Sequence, residues 1–371
     1  MRILHTESSL GWGGQEIRVL SEARGVARRG HQVALAAPAQ SRIFQEARAY
    51  GVEAIEAPIA RKGLAGAAAV KRLLEERDFD VVNTHSSTDS WLVTAACAWA
   101  RRAPAIVRTR HISSPMPRNF ASRWLYARAD RIVTTGEKLR LQVIEEVGAD
   151  PSRTVSIPTG IDLSRFRPGN RLAARGQVGL PGEATIVGIV ATLRSWKGHL
   201  HLLEAVASLG FAEVHLAIVG DGPMRAVLEE RAANLGMPRV IFAGNQRDVA
   251  PWLRSFDVFC LPSYANEGVP QALMQAMACG LPVITTPVGS IEEVVQDGRT
   301  GMIVPPADPP ALARAIATLI EDPARRAALG QAAAAEATAR MGEDAMVDAM
   351  IRVFSEALAC AAPPTTSVRS G

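Results

Sequence analysis

Short runs rich in β-branched residues alternate along this chain with longer Ala, Leu and Arg-rich segments of helical period. That alternation is the mark of βαβ units wound around parallel sheets, and it restricts the chain to the α/β class. In the first half the strand candidates are Arg2–Thr6, Gln32–Ala36, Val81–Thr84, Ile106–Thr109, Arg131–Thr135 and Thr154–Ile157. In the second half they are Thr185–Val190, Val214–Val219, Val240–Phe242, Val258–Leu261, Val283–Thr285 and Met302–Val304. Each set suffices for one doubly wound sheet. A chain of 371 residues exceeds what one core usually organises, so two Rossmann-like domains are expected. Residues 1–166 form the first and 184–343 the second. Between them, 167–183 reads as a linker, because Pro168, Gly169, Gly176, Gly179, Pro181 and Gly182 interrupt any apolar period. The Ala-rich stretch Pro310 to Leu358 reads as helices, with 344–360 as a C-terminal helix, and 361–371, carrying Pro363 and Pro364, as a disordered tail.

Composition narrows the function. At 48% hydrophobic and 5% aromatic residues the chain has a core to bury and is neither fibrous nor disordered. Cys97, Cys260, Cys279 and Cys360 form no CxxC pair, which argues against a zinc site or a disulfide framework and fits reduced thiols in a cytoplasmic protein. An apolar run, Ile3–Leu4, opens the chain without a charged leader, and no stretch reaches membrane-spanning length. Charge is uneven: residues 1–166 carry 24 Lys/Arg against 17 Asp/Glu, a net +7, and the rest carry 17 against 20, a net −3. A basic first half favours an anionic partner, either a phosphorylated substrate or an anionic membrane surface, although solvated arginine faces would produce the same count. Without a basic run interleaved with aromatics, nucleic acid is not expected.

Open α/β sheets bind ligands at the carboxyl ends of their strands, so the informative residues follow strands. After the first comes Glu7-Ser8-Ser9-Leu10-Gly11-Trp12-Gly13-Gly14-Gln15-Glu16, whose glycines let backbone amides meet an anion at a helix N-terminus. It lacks the third glycine of GxGxxG, and a plain tight turn is the other reading. His85 and His111 each follow a strand, where imidazole suits donation to developing negative charge or to a sugar hydroxyl; a satisfied structural histidine is the alternative. Arg194 and Lys197 follow the first strand of the second half, where cations neutralise a diphosphate unless they are simply solvated loop charges. In Pro262 to Gly280, Pro270 is placed to open a helix that Gly280-Leu281-Pro282 closes. Glu267, Gln271 and Gln275, four apart, line one side, while Val269, Leu273, Ala276 and Met277 turn to the core. Amides at Gly268 and Val269 then form a second anion site.

Assembled, these residues resemble the retaining glycosyltransferases of family 4, with their GT-B architecture of two Rossmann-like domains facing a central cleft. The resemblance runs over nearly the whole chain. It includes Gly13-Gly14, Ile157-Pro158-Thr159-Gly160-Ile161-Asp162 with Phe166, Val219-Gly220-Asp221-Gly222-Pro223, Phe242-Ala243-Gly244, Glu267 to Gly280, Gly289, Glu292-Glu293 and Asp297-Gly298-Thr300-Gly301. It implies that Gly14 touches the donor diphosphate, His111 the transferring sugar or its phosphate, and Lys197 the diphosphate. By the same resemblance Glu267 holds the sugar, the amides of Gly268 and Val269 before Pro270 bind phosphate, and the last helix crosses back onto the first domain. His85 and Glu16 are accessory candidates. Two positions depart from the family pattern: its second carboxylate, on the nucleotide ribose, is Gln275 here, and its Gly-Arg-Leu is Ala191-Thr192-Leu193, so that Arg194 takes the arginine's part.

The resemblance further implies a nucleotide-diphosphate sugar as donor, a glycan or lipid-linked glycan as acceptor, retained anomeric configuration, and neither cofactor nor metal. Surface polysaccharide or glycolipid assembly is the expected setting, in the cytoplasm or peripherally at the inner face of the cell membrane. A nucleotide-sugar epimerase on the same architecture and a non-enzymatic nucleotide-sugar sensor are the rival readings. A nicotinamide oxidoreductase is more distant, since no GxGxxG is present.

Overall fold

In a computed structural model, residues 1–112, 114–211 and 213–361 are described. Contacts divide the chain into two units, one of Met1–Pro158 joined by the helix Glu343–Ala361, the other Thr159–Gly342. The first unit holds strands β1 (Arg2–Thr6), β2 (Gln32–Ala37), β3 (Glu53–Glu56), β4 (Val81–Thr84), β5 (Ala105–Arg110), β6 (Arg131–Thr134) and β7 (Thr154–Ser156). They pair in parallel in the order β3-β2-β1-β4-β5-β6-β7. The second holds β8 (Thr185–Val190), β9 (Val214–Val219), β10 (Val240–Gly244), β11 (Val258–Leu261), β12 (Val283–Thr285) and β13 (Met302–Ile303). Their order, again parallel, is β10-β9-β8-β11-β12-β13. Strand order reverses between β1 and β4 and between β8 and β11, which makes those two points the binding positions of the sheets.

Pleating sends alternate residues to opposite faces. On one face of the first sheet Ile3, Val81, Val107 and Val133 pack with Val26, Val347, Met350 and Phe354, from the helices Gly14–Arg28 and Glu343–Ala361. On the other, Leu4 and Val82 pack with Val70, Leu74 and Leu92. The two helices approach closely at Gly25, where an added Cβ would lie 2.4 Å from a Val347 methyl carbon.

Two expectations need correction. The stretch 167–183 is not a bare linker: it contains the helix Arg171–Val178, capped by the Asn170 side chain and ended by Gly179 in the left-handed region. That helix belongs to the second unit, with Arg175 buried and bonded to Asp257 at 2.7 Å and to the Ser255 carbonyl at 3.0 Å. Its partners lie some eighty residues away in sequence, so local periodicity gave no sign of it. Strand β3 went unanticipated because Glu53-Ala54-Ile55-Glu56 places charges at both ends, a feature of edge strands. Of the expected disordered tail, Ala361 ends a helix and 362–371 lie outside the described residues.

Candidate functional site

Parallel pairing of β8 with β11 brings the loops that follow them together. The turn Ser195–Lys197 ends at Gly198, whose φ is +77° and whose added Cβ would fall 2.0 Å from the Pro262 carbonyl oxygen; only glycine permits that approach. Tyr264 N–H donates to the Trp196 carbonyl at 2.9 Å, tying the two loops. Lys197 Nζ consequently reaches Glu267 Oε1 at 2.6 Å, and Ser263 Oγ donates to the same oxygen at 2.6 Å. The Glu267 carboxylate is buried. Gly289, at φ +62°, passes so close that a Cβ there would stand 2.1 Å from the Glu267 carbonyl oxygen, and Ser290 N–H donates to the Gly268 carbonyl at 3.1 Å. A buried carboxylate held by an ammonium and a buried hydroxyl is a rigid acceptor for hydroxyl donors and a counter-charge to a cation.

The helix beyond Glu267 runs Gln271–Ala278, with Pro270 at its cap, one position earlier than a first helical residue. Val269, Leu273, Ala276 and Met277 are buried, and Gln275 is buried with them. Amides of Gly268 and Val269 donate to no group among the described residues, which leaves them as donors at the helix entry. Arg194 is exposed and its guanidinium lies 5.8 Å from the Trp196 ring centre. The structure therefore unites Lys197, Glu267, Gly268, Val269 and Pro270, with Arg194 outside the bonded cluster. His199, two residues after Lys197, is pushed down to about pKa 4 by burial and by that ammonium.

In the first unit, Gly13 caps the helix Gly14–Arg28, and its carbonyl accepts from Ile17 N–H at 3.1 Å. The loop is acidic. Glu7 accepts from Ser9 N–H at 2.8 Å and from Gln15 Nε2 at 2.5 Å. Burial, then the nearby Asp89 charge, push its carboxyl up to about 8, so it carries a proton at neutral pH. Glu16 lies in the first helical turn, its carboxylate within 4.0 Å of where Cβ atoms on Gly11 and Gly13 would stand. Asp89 accepts from Thr6 Oγ1 at 2.8 Å and from His85 N–H at 2.9 Å, and closes a capping box with Ser86.

Three histidines join beside this loop. His5 Nδ1 lies 2.9 Å from His85 Nε2, and His85 Nδ1 lies 3.0 Å from His111 Nε2. Burial lowers His5 to about 3, and it lowers His85 and His111 well below the ordinary histidine range, with the Arg18 charge acting on both. Arg18 is wholly buried, bonded to the Ile157 carbonyl at 2.8 Å and 3.6 Å from Glu22. Of these, His5, Arg18 and Asp89 carry no signal in the motifs named from sequence, and Glu7 and Ser263 lie within named segments but without a role of their own. Two other signals were present: His5 shares strand parity with buried Ile3, and Ser86-x-x-Asp89 is a capping box. An Asp-x-Asp pair, Asp78-Phe79-Asp80, precedes β4, at the end of the strands away from these loops; Asp80 there accepts from Arg2 N–H at 2.8 Å.

Two Rossmann-like units with polar clusters after the strands beside each switch point define an α/β enzyme of the GT-B type. Residues 12–165 match the family described as Glycosyltransferase Family 4, and 184–322 that described as Glycosyl transferases group 1. A D-inositol 3-phosphate glycosyltransferase of Streptomyces bingchenggensis is 31% identical over 308 residues, 76% of this chain and 67% of the relative. D-inositol 3-phosphate glycosyltransferase 1 of Catenulispora acidiphila is 32% identical over 312 residues, 76% of this chain and 73% of the relative. A second such protein of that organism is 35% identical, with the match spanning only 57% of its length. The chain belongs to glycosyltransferase family 4, and it is a glycosyltransferase. Its fold matches a glycosyltransferase of Rickettsia africae, with TM-score 0.86, 21% identity and 96% and 98% of the two chains covered. It also matches Anabaena HepE in complex with UDP and glucose, with TM-score 0.84, 22% identity and 96% and 99% covered.

Proposed function

We propose that the chain moves a sugar from a nucleoside-diphosphate donor to an acceptor hydroxyl with retention of anomeric configuration. The observation that carries this reading is the Lys197–Glu267–Ser263 cluster beside free amides at Gly268 and Val269. Leaving-group departure builds negative charge on a diphosphate and positive charge at the anomeric carbon. Lys197 and the amides answer the first, the Glu267 carboxylate the second. The Gly13-Gly14 helix entry adds amides for phosphate, His111 faces the transferring sugar, and Gln275 accepts from the ribose. Arg194, exposed beside Trp196, adds a further cation for the diphosphate. Metal independence is part of the proposal, and a chelator is expected to leave the rate unchanged.

The acceptor class follows from charge and from the relatives' names. A first half of net +7 suits an anionic acceptor, and the relatives are named for a phosphorylated inositol. A phosphorylated cyclitol is therefore the first acceptor to test, and a lipid-linked glycan of surface polysaccharide assembly the second. The latter places the enzyme in the cytoplasm, at the inner face of the cell membrane.

The test is a panel of nucleotide sugars with each acceptor, read by the anomeric proton coupling of the product. An α-linked product from an α-linked donor is expected, and a β-linked one overturns retention. Donor conversion without acceptor would mean epimerisation, and donor binding without product a sensor.

A further inference from the structure

Parallel pairing sets His5 opposite Asn83, and Asn83 opposite Val107. Two residues on from Asn83 stands His85, and four on from Val107 stands His111, so strand parity puts the three imidazoles on one sheet face. Lower on that face the same positions are Ile3, Val81 and Val107, packed under Phe354 and Val347. The face thus changes from apolar to imidazole as the strands reach the carboxyl end, and the rings join edge to edge at 2.9 and 3.0 Å.

Neutral imidazole has one donor nitrogen and one acceptor. In a chain of three, choosing the tautomer of one ring chooses all of them. In one register each Nδ1 carries the proton: His5 donates to His85, His85 to His111, and His111 points Nδ1–H outward. In the other each Nε2 carries it, and His111 points a lone pair outward. The dead end decides between them. His5 Nε2 is shielded from solvent with no hydrogen-bond partner among the described residues, and Phe354 stands edge-on, 6.2 Å between ring centres. A buried N–H without an acceptor is the rarer orphan, so the bare nitrogen belongs at His5. The groups facing the chain, Arg18 and Arg110, are cationic and oppose protonation of the rings, with Glu22 paired to Arg18.

We propose that His5 and His85 are positioning residues that lock His111 as its Nδ1–H tautomer, making it a hydrogen-bond donor to a sugar or phosphate oxygen rather than a base. The role toward substrate rests on the sugar-transfer reading above; the lock itself does not.

Long-range 1H–15N spectra of the full chain labelled at histidine report ring tautomers directly, with the His111 signal assigned by its loss in His111→Asn. Wild-type His111 is expected to show protonated Nδ1 and bare Nε2. His5→Leu removes the first donor and is expected to leave His111 exchanging between tautomers, with kcat/KM lowered roughly tenfold, the scale of one misaligned hydrogen bond. His5→Asn, whose amide N–H stands where Nδ1–H stood, restores both. A protonated Nε2 on wild-type His111, or an unchanged His111 signal in His5→Leu, overturns the lock. Should the wild-type chain transfer no sugar, the spectra still decide the lock, and only the substrate role falls.

Discussion

Glu267, buried, and Lys197, partly buried, share one short bond, yet their removal has different consequences. Glu267→Gln keeps shape and most hydrogen-bonding capacity and deletes the charge. Folding is expected to survive while transfer falls by at least about 10²-fold, the scale of a preorganised electrostatic group. Lys197→Ala is expected to lower kcat/KM by a similar factor and to destabilise the fold as well, because it strands a buried carboxylate. Activity of Glu267→Gln near wild type, with an intact melting transition, would remove this residue from the chemistry. Gln275 tests the donor grip. A neutral amide carbonyl accepts from ribose hydroxyls more weakly than a carboxylate, so Gln275→Ala is expected to weaken nucleoside diphosphate binding by about 1 kcal/mol. Calorimetric titration reads this, and an unchanged affinity means that the ribose is held elsewhere. Gln275→Glu is expected to retain activity.

At the scale of elements, the decisive contact is Gly25 against Val347, where the helices Gly14–Arg28 and Glu343–Ala361 meet. Replacing a mid-helix glycine by alanine ordinarily gains about 1 kcal/mol of helix propensity. Here the new methyl would lie 2.4 Å from a β-branched side chain with little freedom to turn away. Overpacking of about 1–3 kcal/mol outweighs the gain, so Gly25→Ala is expected to lower the urea midpoint. A raised midpoint would show that the helices part without cost. Local pattern predicted most strands to within a residue or two, because buried parallel strands are continuous apolar runs. It missed the helix Arg171–Val178, which depends on the Arg175–Asp257 pair rather than on an apolar stripe.

Across the whole molecule, buried ionisable groups shape stability against pH. Glu7 and Glu22 are raised to about 8 and about 7, chiefly by burial, so the folded state holds their protons where the unfolded chain has lost them. Their contribution is complete below the ordinary carboxyl range and is lost as pH rises through 7 and 8. His5 and His199, lowered to about 3 and about 4, act oppositely: their contribution is complete above the ordinary histidine range and is lost as pH falls through it toward those values. His85 and His111 are lowered as well and Asp89 is raised, so the histidine gain outweighs the carboxyl loss up to the ordinary histidine value, and stability is expected to peak near about pH 6.5. Urea midpoints across pH check this, with Glu7→Gln flattening the alkaline side; a midpoint that keeps rising to about pH 8.5 contradicts it. Charge and shape of the first unit also bear on membrane attachment. Lys62 lies over Trp91, Trp91 stacks on Trp124, and Arg128 lies over Trp124, with Leu64 and Phe120 exposed. Aromatic and basic residues together suit an anionic interface. Cosedimentation with anionic vesicles, weakened by salt, is expected; equal recovery with neutral vesicles, or none with either, counts against it.

By itself the sequence determined the α/β class, the doubled sheet and the segments from which Glu267, Lys197, His85 and His111 project. Those features are written in local periodicity and in glycines at strand ends, which neighbouring residues are enough to express. Only the tertiary structure decided which side chains share a bond. Lys197 meets Glu267 across 70 residues of chain because β8 and β11 pair side by side. His5, His85 and His111 join across 80 and 26 residues because β1, β4 and β5 lie adjacent with one parity. Strand order is settled by crossover connections and packing over the whole chain, so no window of sequence contains it.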